Sequence, residues 1–310
     1  MRKLLYVFVI AGLTGNLLAG CTTVKPLDFT PAPRERSAEY MENLLAFKAK
    51  KTHKVSVAMI ATTPAEPTLA NQHLTTYPDS LDYIAIVGDK PLYSGIAAEM
   101  ADVRTLGTKV LHMVDYGMAW DAWFAEHLEL EEGFLAVLKT YTDNQMDALN
   151  AYDYDGIIIS YTGKTVTDIE ERAQKQFMDA CLGWVKQHEG KTVLFRGYAR
   201  NLTDNSFLKN CEYLIVVPGT NASVGELTVA VNAQLVTGVP KDRIMVEVTI
   251  PEPVDGEWVG PTGAQGAAWI KDYTAGVGKK GLAFYNAQYD YYHQDGIFPE
   301  IRTGINKSNE

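Results

Sequence analysis

Four acids are placed where a folded chain of this pattern could use them. Asp89 and Asp115 follow short apolar runs, Glu247 lies inside one, and Asp290 falls in a tyrosine-rich stretch. Hydrolysis of a glycosidic bond normally needs two carboxyl groups flanking it, at most ~9.5 Å apart, one as acid and one as nucleophile or base. Glu247 shares parity with Met245 and Thr249, so it can face inward, as a relocated acid or as half of an ion pair with Arg196 or a lysine. The second chemical signal is aromatic. Seventeen tyrosines and five tryptophans offer flat faces for stacking on a pyranose, although such rings also build cores. Trp123 is spaced like a core residue of a helix, and Trp184 and Trp269 sit on helical apolar faces. Trp258, between Glu257 and Val259-Gly260-Pro261, has no evident helix to bury it and reads as a ligand platform. Trp120 reads either way.

The elements that must position these residues alternate. Short β-branched runs at 55–61, 83–87, 109–114, 156–161, 192–195, 213–217, 244–250 and 282–286 predict strands. Amphipathic stretches at 37–50, 91–105, 120–149, 165–189, 203–209, 222–236 and 264–276 predict helices. Thr167 with Glu170, and Ser223 with Glu226, have the capping pattern of a hydroxyl and an acid three residues on. Eight strands over this span match a (β/α)8 TIM-type barrel of the α/β class, folded as a single domain, with an open doubly wound sheet second. In such a barrel function gathers at the carboxyl ends of the strands. That rule selects Thr62 and Thr63, Asp89, Asp115, Ser160 and Thr162, Arg196, Asn221, Thr249, and Tyr285 with Asn286.

The segment Tyr154-Asp155-Gly156-Ile157-Ile158-Ile159-Ser160-Tyr161-Thr162 resembles the signature strand of glycoside hydrolase family 18, which runs aromatic-Asp-Gly-x-Asp-x-Asp-x-Glu. The family's last three acids point to one face because a strand repeats every two residues. The resemblance implies that the final Glu is the general acid and that the Asp before it orients the sugar's N-acetyl group. Here Asp155 and Gly156 remain, while Ile158, Ser160 and Thr162 take the places of the three acids. A threonine hydroxyl cannot act as a general acid at neutral pH. The resemblance extends in element order over about residues 50–292, and Val239-Pro240-Lys241-Asp242-Arg243-Ile244 looks like the lead-in to the seventh strand in short lipoproteins of this family from gut Bacteroidetes. The family's closing strand ends in a tryptophan, for which Tyr285 stands here, and its sixth strand commonly ends in Tyr-Asp, which Val216-Val217-Pro218 lacks.

The start of the chain carries its own address. Met1-Arg2-Lys3, an apolar run to Leu18 and then Leu18-Ala19-Gly20-Cys21 describe a signal peptide over 1–20 that resembles a bacterial lipobox, with Cys21 acylated. Residues 21–50 would form a tether and lead-in helix, 51–300 the barrel, and 301–310 a tail. Thr22 after the cysteine favours the outer membrane over inner-membrane retention, so the chain is expected to sit there by its lipid anchor. A net charge of −10 without basic blocks argues against nucleic acid. The six histidines are scattered, no Cys/His cluster has zinc spacing, and no cofactor or metal is expected. Cys181 and Cys211 read as two buried free thiols.

Together these features point to a non-catalytic protein that binds an N-acetylglucosamine-containing glycan, with Asp115, Trp120, Asn221, Trp258, Tyr285 and Asn286 as candidate contacts. The resemblance also implies an outer-membrane glycan-import complex as partner. Two other readings stand beside it: an active endo-β-N-acetylglucosaminidase with relocated acids, and a structural lipoprotein without a sugar.

Overall fold

A computed structural model describes residues 35–61, 67–88, 91–253, 256–291 and 296–310. Cys21, the signal peptide, Thr62, Thr63 and Asp89 therefore lie outside the described residues. Eight parallel strands close a barrel in sequence order. They are β1 (Val55–Ala61), β2 (Tyr83–Val87), β3 (Lys109–Asp115), β4 (Gly156–Tyr161), β5 (Thr192–Gly197), β6 (Tyr213–Val216), β7 (Ile244–Thr249) and β8 (Lys279–Tyr285). Around them lie α1 (Ala38–Lys48), α2 (Ile96–Thr105), α3 (Tyr116–Phe124), α4 (Gly133–Ala151), α5 (Asp168–Gln187), α6 (Val224–Gln234), α7 (Gly263–Lys271) and α8 (Pro299–Asn309). This is the (β/α)8 barrel that the alternating pattern predicts. Among the described residues, β1–β2 and β5–β6 are joined by short 3-10 turns and no α-helix.

The strands read as continuous apolar runs because both of their faces are covered. One parity fills the barrel with Val57, Met59, Leu111, Ile158, Leu194 and Met245. The other packs Ile60, Ile84, Ile159, Phe195, Val246 and Phe284 beneath the helices. Hydroxyl caps start the helices where the sequence marks them: Thr167 with Glu170 and Ser223 with Glu226 form capping boxes, as do Thr262 and Gln265.

Three expectations change. The single stretch foreseen over 120–149 is two helices, separated by residues 125–132, and α3 begins earlier than foreseen because the Asp115 side chain accepts from Gly117 N–H directly at the end of β3. Trp120 lies on α3. Residues 301–310, set apart as a tail, belong to α8, whose Ile301 and Ile305 are buried against the barrel. The segment 203–209 is a 3-10 turn at Ser206–Asn210. Cys181 and Cys211 are buried and free, as expected.

The surviving Asp155-Gly156 pair does structural work at the end where the strands begin. One Asp155 oxygen accepts from Val110 N–H and from Arg104 Nε, tying β4 to β3. A Cβ on Gly156 would overlap the Thr192 carbonyl of the next strand, and one on Gly281 would overlap that of Val55. By contrast Gly183, inside α5, has open space around it. Gly281→Ala should therefore lower stability by at least about 2 kcal/mol through overpacking against backbone, whereas Gly183→Ala should raise it by about 1 kcal/mol through helix propensity. Urea unfolding of the two variants checks this, and equal effects would contradict the packing account.

Candidate functional site

Strand parity brings five side chains together at the carboxyl end of the barrel. Asp115, Ser160 and Arg196 occupy matched positions on β3, β4 and β5, so their side chains leave three adjacent strands on the same face. Glu247 enters from β7 and Tyr285 from the end of β8. Arg196 reaches across β6. Its Nε donates to Glu247 Oε2 at 2.5 Å and its Nη2 to Oε1 at 2.9 Å. Its Nη1 donates to Ser160 Oγ at 2.9 Å, and that hydroxyl donates in turn to Asp115 Oδ1 at 2.9 Å. Gly117 N–H reaches the same Asp115 oxygen at 3.0 Å. Thr249 Oγ1 adds a longer bond of 3.4 Å to Glu247. The guanidinium lies 4.4 Å from the centroid of the Tyr285 ring, a cation–π contact.

The network is almost dry: Arg196 is 6% exposed, Asp115 5%, Glu247 1% and Ser160 0%. Burial alone would pull the Arg196 pKa down, but the charges of Glu247 and Asp115 outweigh it and hold it above the ordinary value. Burial, with the Asp115 charge next, pushes the Tyr285 phenol up to about 12, against the opposing pull of Arg196. Tyr141 holds the end of β3 in place, accepting from Asp115 N–H and donating to its carbonyl.

This arrangement is poor in acid–base chemistry. Both Glu247 oxygens are bonded to Arg196, and an arginine does not surrender its proton. Ser160 is fixed as acceptor on one side and donor on the other, and Ile158 is buried in the apolar fill below it. Thr162 follows β4 and is half-buried. Asp115 Oδ2 lies 3.8 Å from Arg196 Nη1. Among the described residues no group of acids, histidines and cysteines could hold a metal ion.

The remaining candidates occupy varied positions. Asn286 follows Tyr285 directly and adopts a left-handed backbone, φ 56°, at the turn out of β8. Trp258 is 41% exposed on the β7–α7 connection. Asn221 turns its amide onto the Pro218 carbonyl of its own loop. Trp120 packs among Tyr116, Phe124 and Phe134 and is half-buried. Trp123, Trp184 and Trp269 are buried in packing, as their spacing predicts. Asp290 is fully buried, and its two oxygens accept from Glu300 and Ile301 N–H at the start of α8, so it is a helix anchor. Arg196 is what sequence reasoning valued too little. Its signal was present, as the one cation at an inward position of β5 facing an inward acid of β7.

The family model described as "Glycoside hydrolase family 18, BT1044-like" matches residues 22–307. No curated protein matches the chain in sequence. Among solved structures, the apo endo-beta-N-acetylglucosaminidase of Cordyceps militaris is similar at a TM-score of 0.62 and 15% identity, over 89% of this chain and 98% of that one. The same enzyme carrying two substitutions, in complex with fucosyl-N-acetylglucosamine-Asn, gives 0.60 and 15% over the same shares. A selenomethionine form of BT1044 with a glutamate-to-glutamine change gives 0.60 and 16%, over 93% of this chain and 98% of that one. At such identities the likeness is one of fold.

The Arg196–Glu247 pair sets a quantitative expectation. Arg196→Met or Glu247→Met alone leaves a buried charge without its partner and should cost about 3–5 kcal/mol, while the double replacement should recover most of that loss. A double-mutant cycle by urea unfolding measures it, and additive losses would show that the two charges do not depend on each other.

Proposed function

This chain belongs to the BT1044-like group of glycoside hydrolase family 18, and we propose that it binds an N-acetylglucosamine-containing glycan without hydrolysing it. One observation carries the proposal: Ser160, at a position where the family pattern has an acid, is locked by its hydroxyl between Arg196 and Asp115. Neither Ile158 before it nor Thr162 after it on that face can protonate a glycosidic oxygen. The adjacent Glu247, which could have replaced the lost acid, is occupied by the guanidinium. The sixth strand ends Val216-Val217-Pro218, without the Tyr-Asp common in the family.

The binding half of the reading rests on what remains at the same end. The Tyr285 ring and the exposed indole of Trp258 offer stacking surfaces, and Asp115 Oδ2, 3.8 Å from Arg196 Nη1, supplies an acceptor for a sugar hydroxyl or amide. That the related Cordyceps enzyme is seen with fucosyl-N-acetylglucosamine-Asn supports the ligand class. We propose further that Cys21 carries a lipid anchoring the chain at the outer membrane, beside a glycan importer. Fractionation of cells expressing Cys21→Ser, which should move the protein out of the membrane fraction, tests the anchor.

On an array of N-acetylglucosamine-containing glycans, the chain from Thr22 onward is expected to bind without releasing any product. Tyr285→Ala and Trp258→Ala should each weaken binding by about threefold to tenfold, the worth of one ring contact. A released oligosaccharide would overturn the non-catalytic reading and direct attention to Asp115. Silence on every such glycan would leave a scaffold role.

A further inference from the structure

The two ends of the barrel differ in charge. Around the starts of β1, β7 and β8, in residues 49–54, 241–243, 271–280 and 307–310, nine lysines and arginines stand against three acids, in a chain whose formal net charge is −10. Exposed Lys50 and Lys51 precede β1, Lys241 precedes β7, Lys271 ends α7, Lys280 is the second residue of β8 and Lys307 lies near the end of α8. Hydrogen bonds make these segments contiguous. Gly278 N–H donates to the Lys241 carbonyl at 2.6 Å, Lys54 Nζ to the Lys279 carbonyl at 2.9 Å, and Lys54 N–H to Asn309 Oδ1 at 2.8 Å. Burial chiefly, and then the charge of Lys280, hold the Lys54 pKa below its ordinary value. The acids nearby are matched to single cations: Asp242 to Arg243, Asp272 to Lys279 and Glu310 to Lys271. At the opposite end the α3–α4 connection exposes Glu126, Glu129, Glu131 and Glu132, and the β7–α7 connection exposes Glu252 and Glu257.

Two further observations concern the same basic end. Tyr273, on the α7–β8 connection between Lys271 and Lys279, is 87% exposed. An exposed tyrosine among lysines is the pairing that favours the boundary between lipid headgroups and water. The N-terminal helix also docks here. Arg36 forks onto Asp79 with two bonds of 2.7 Å, and Lys48 donates to the Leu81 carbonyl and Thr108 Oγ1 just ahead of β2 and β3. Arg36 and Lys48 thus both meet the barrel at the end where its strands begin.

We propose that the strand-starting end of the barrel docks on the surface of an anionic lipid bilayer, through its lysines and Tyr273, and turns the carboxyl-end site toward solvent. The surface supplies negative charge to a basic face and repels the glutamate-rich end, so orientation follows from charge alone. A single acyl chain binds membranes only marginally, and a basic patch is one of the second signals that make binding stable. The proposal stands apart from the glycan reading and from acylation of Cys21.

The test uses the unacylated chain from Thr22 onward and vesicles of phosphatidylcholine alone or mixed with phosphatidylglycerol. Co-sedimentation is expected only with the anionic vesicles, and it should fade as salt is raised. Lys241→Glu, Lys280→Glu and Lys307→Glu combined should weaken binding at least about tenfold. The same reversal at Lys139, Lys164 and Lys175, away from this end, should leave it unchanged. A polarity-sensitive dye at Tyr273→Cys should report entry into the headgroup region, while the same dye at Trp258→Cys should not. Equal binding to neutral vesicles, no binding to anionic ones, equal loss from both sets of reversals, or a response at position 258 alone would each overturn the proposal.

Discussion

A guanidinium cannot lie unpaired in a barrel filled with Met59, Leu111, Ile158, Leu194 and Met245, because desolvating a lone charge costs several kcal/mol. Arg196 is tolerated there only because Glu247 meets it with both oxygens and Ser160 takes its remaining donor. That bond set joins β5 to β7 across β6 and passes through Ser160 to Asp115 on β3. Asp115 in turn starts α3 through Gly117. Four strands and one helix thus share a single polar centre, and the Tyr285 ring covers the cation. The centre that gives this end its shape also takes up the groups from which a hydrolytic acid could have been made.

Compared with the family pattern, strand four has exchanged acids for neutral side chains, and the space has not been left polar and open. Ser160 is fully buried in a satisfied network, and Ile158 continues the aliphatic fill. Restoring an acid at 160 would place a further carboxylate against an arginine already committed to Glu247. The Asp155-Gly156 pair persisted for a different reason. Asp155 ties β4 to β3, and Gly156 leaves room for the Thr192 carbonyl. Both belong to the end of the barrel remote from the site.

Legibility differed by element. The strands were plain because buried parallel strands are uninterrupted apolar runs, and their period of two correctly placed Ile158, Ser160 and Glu247 on the inner face. Caps at Thr167 and Ser223 were plain because the hydroxyl and its acid are three residues apart and need nothing distant. The start of α3 at Tyr116 was hidden, since it depends on Asp115 acting as a cap at the end of a strand. Trp120 could not be assigned from spacing, since its burial comes from Phe124 on its own helix and Phe134 on the next.

The sequence alone determined the barrel, the family resemblance and the absence of acids at 158, 160 and 162, because each of these is set by residue type and local period. It also held the lysines near the starts of β1, β7 and β8, without showing that these segments are neighbours. Only the tertiary structure decided that Glu247 pairs with Arg196, that Ser160 bridges Arg196 to Asp115, and that Asp290 anchors a helix. These outcomes join residues far apart in the chain, and closing the barrel is what brings their strands within hydrogen-bonding distance.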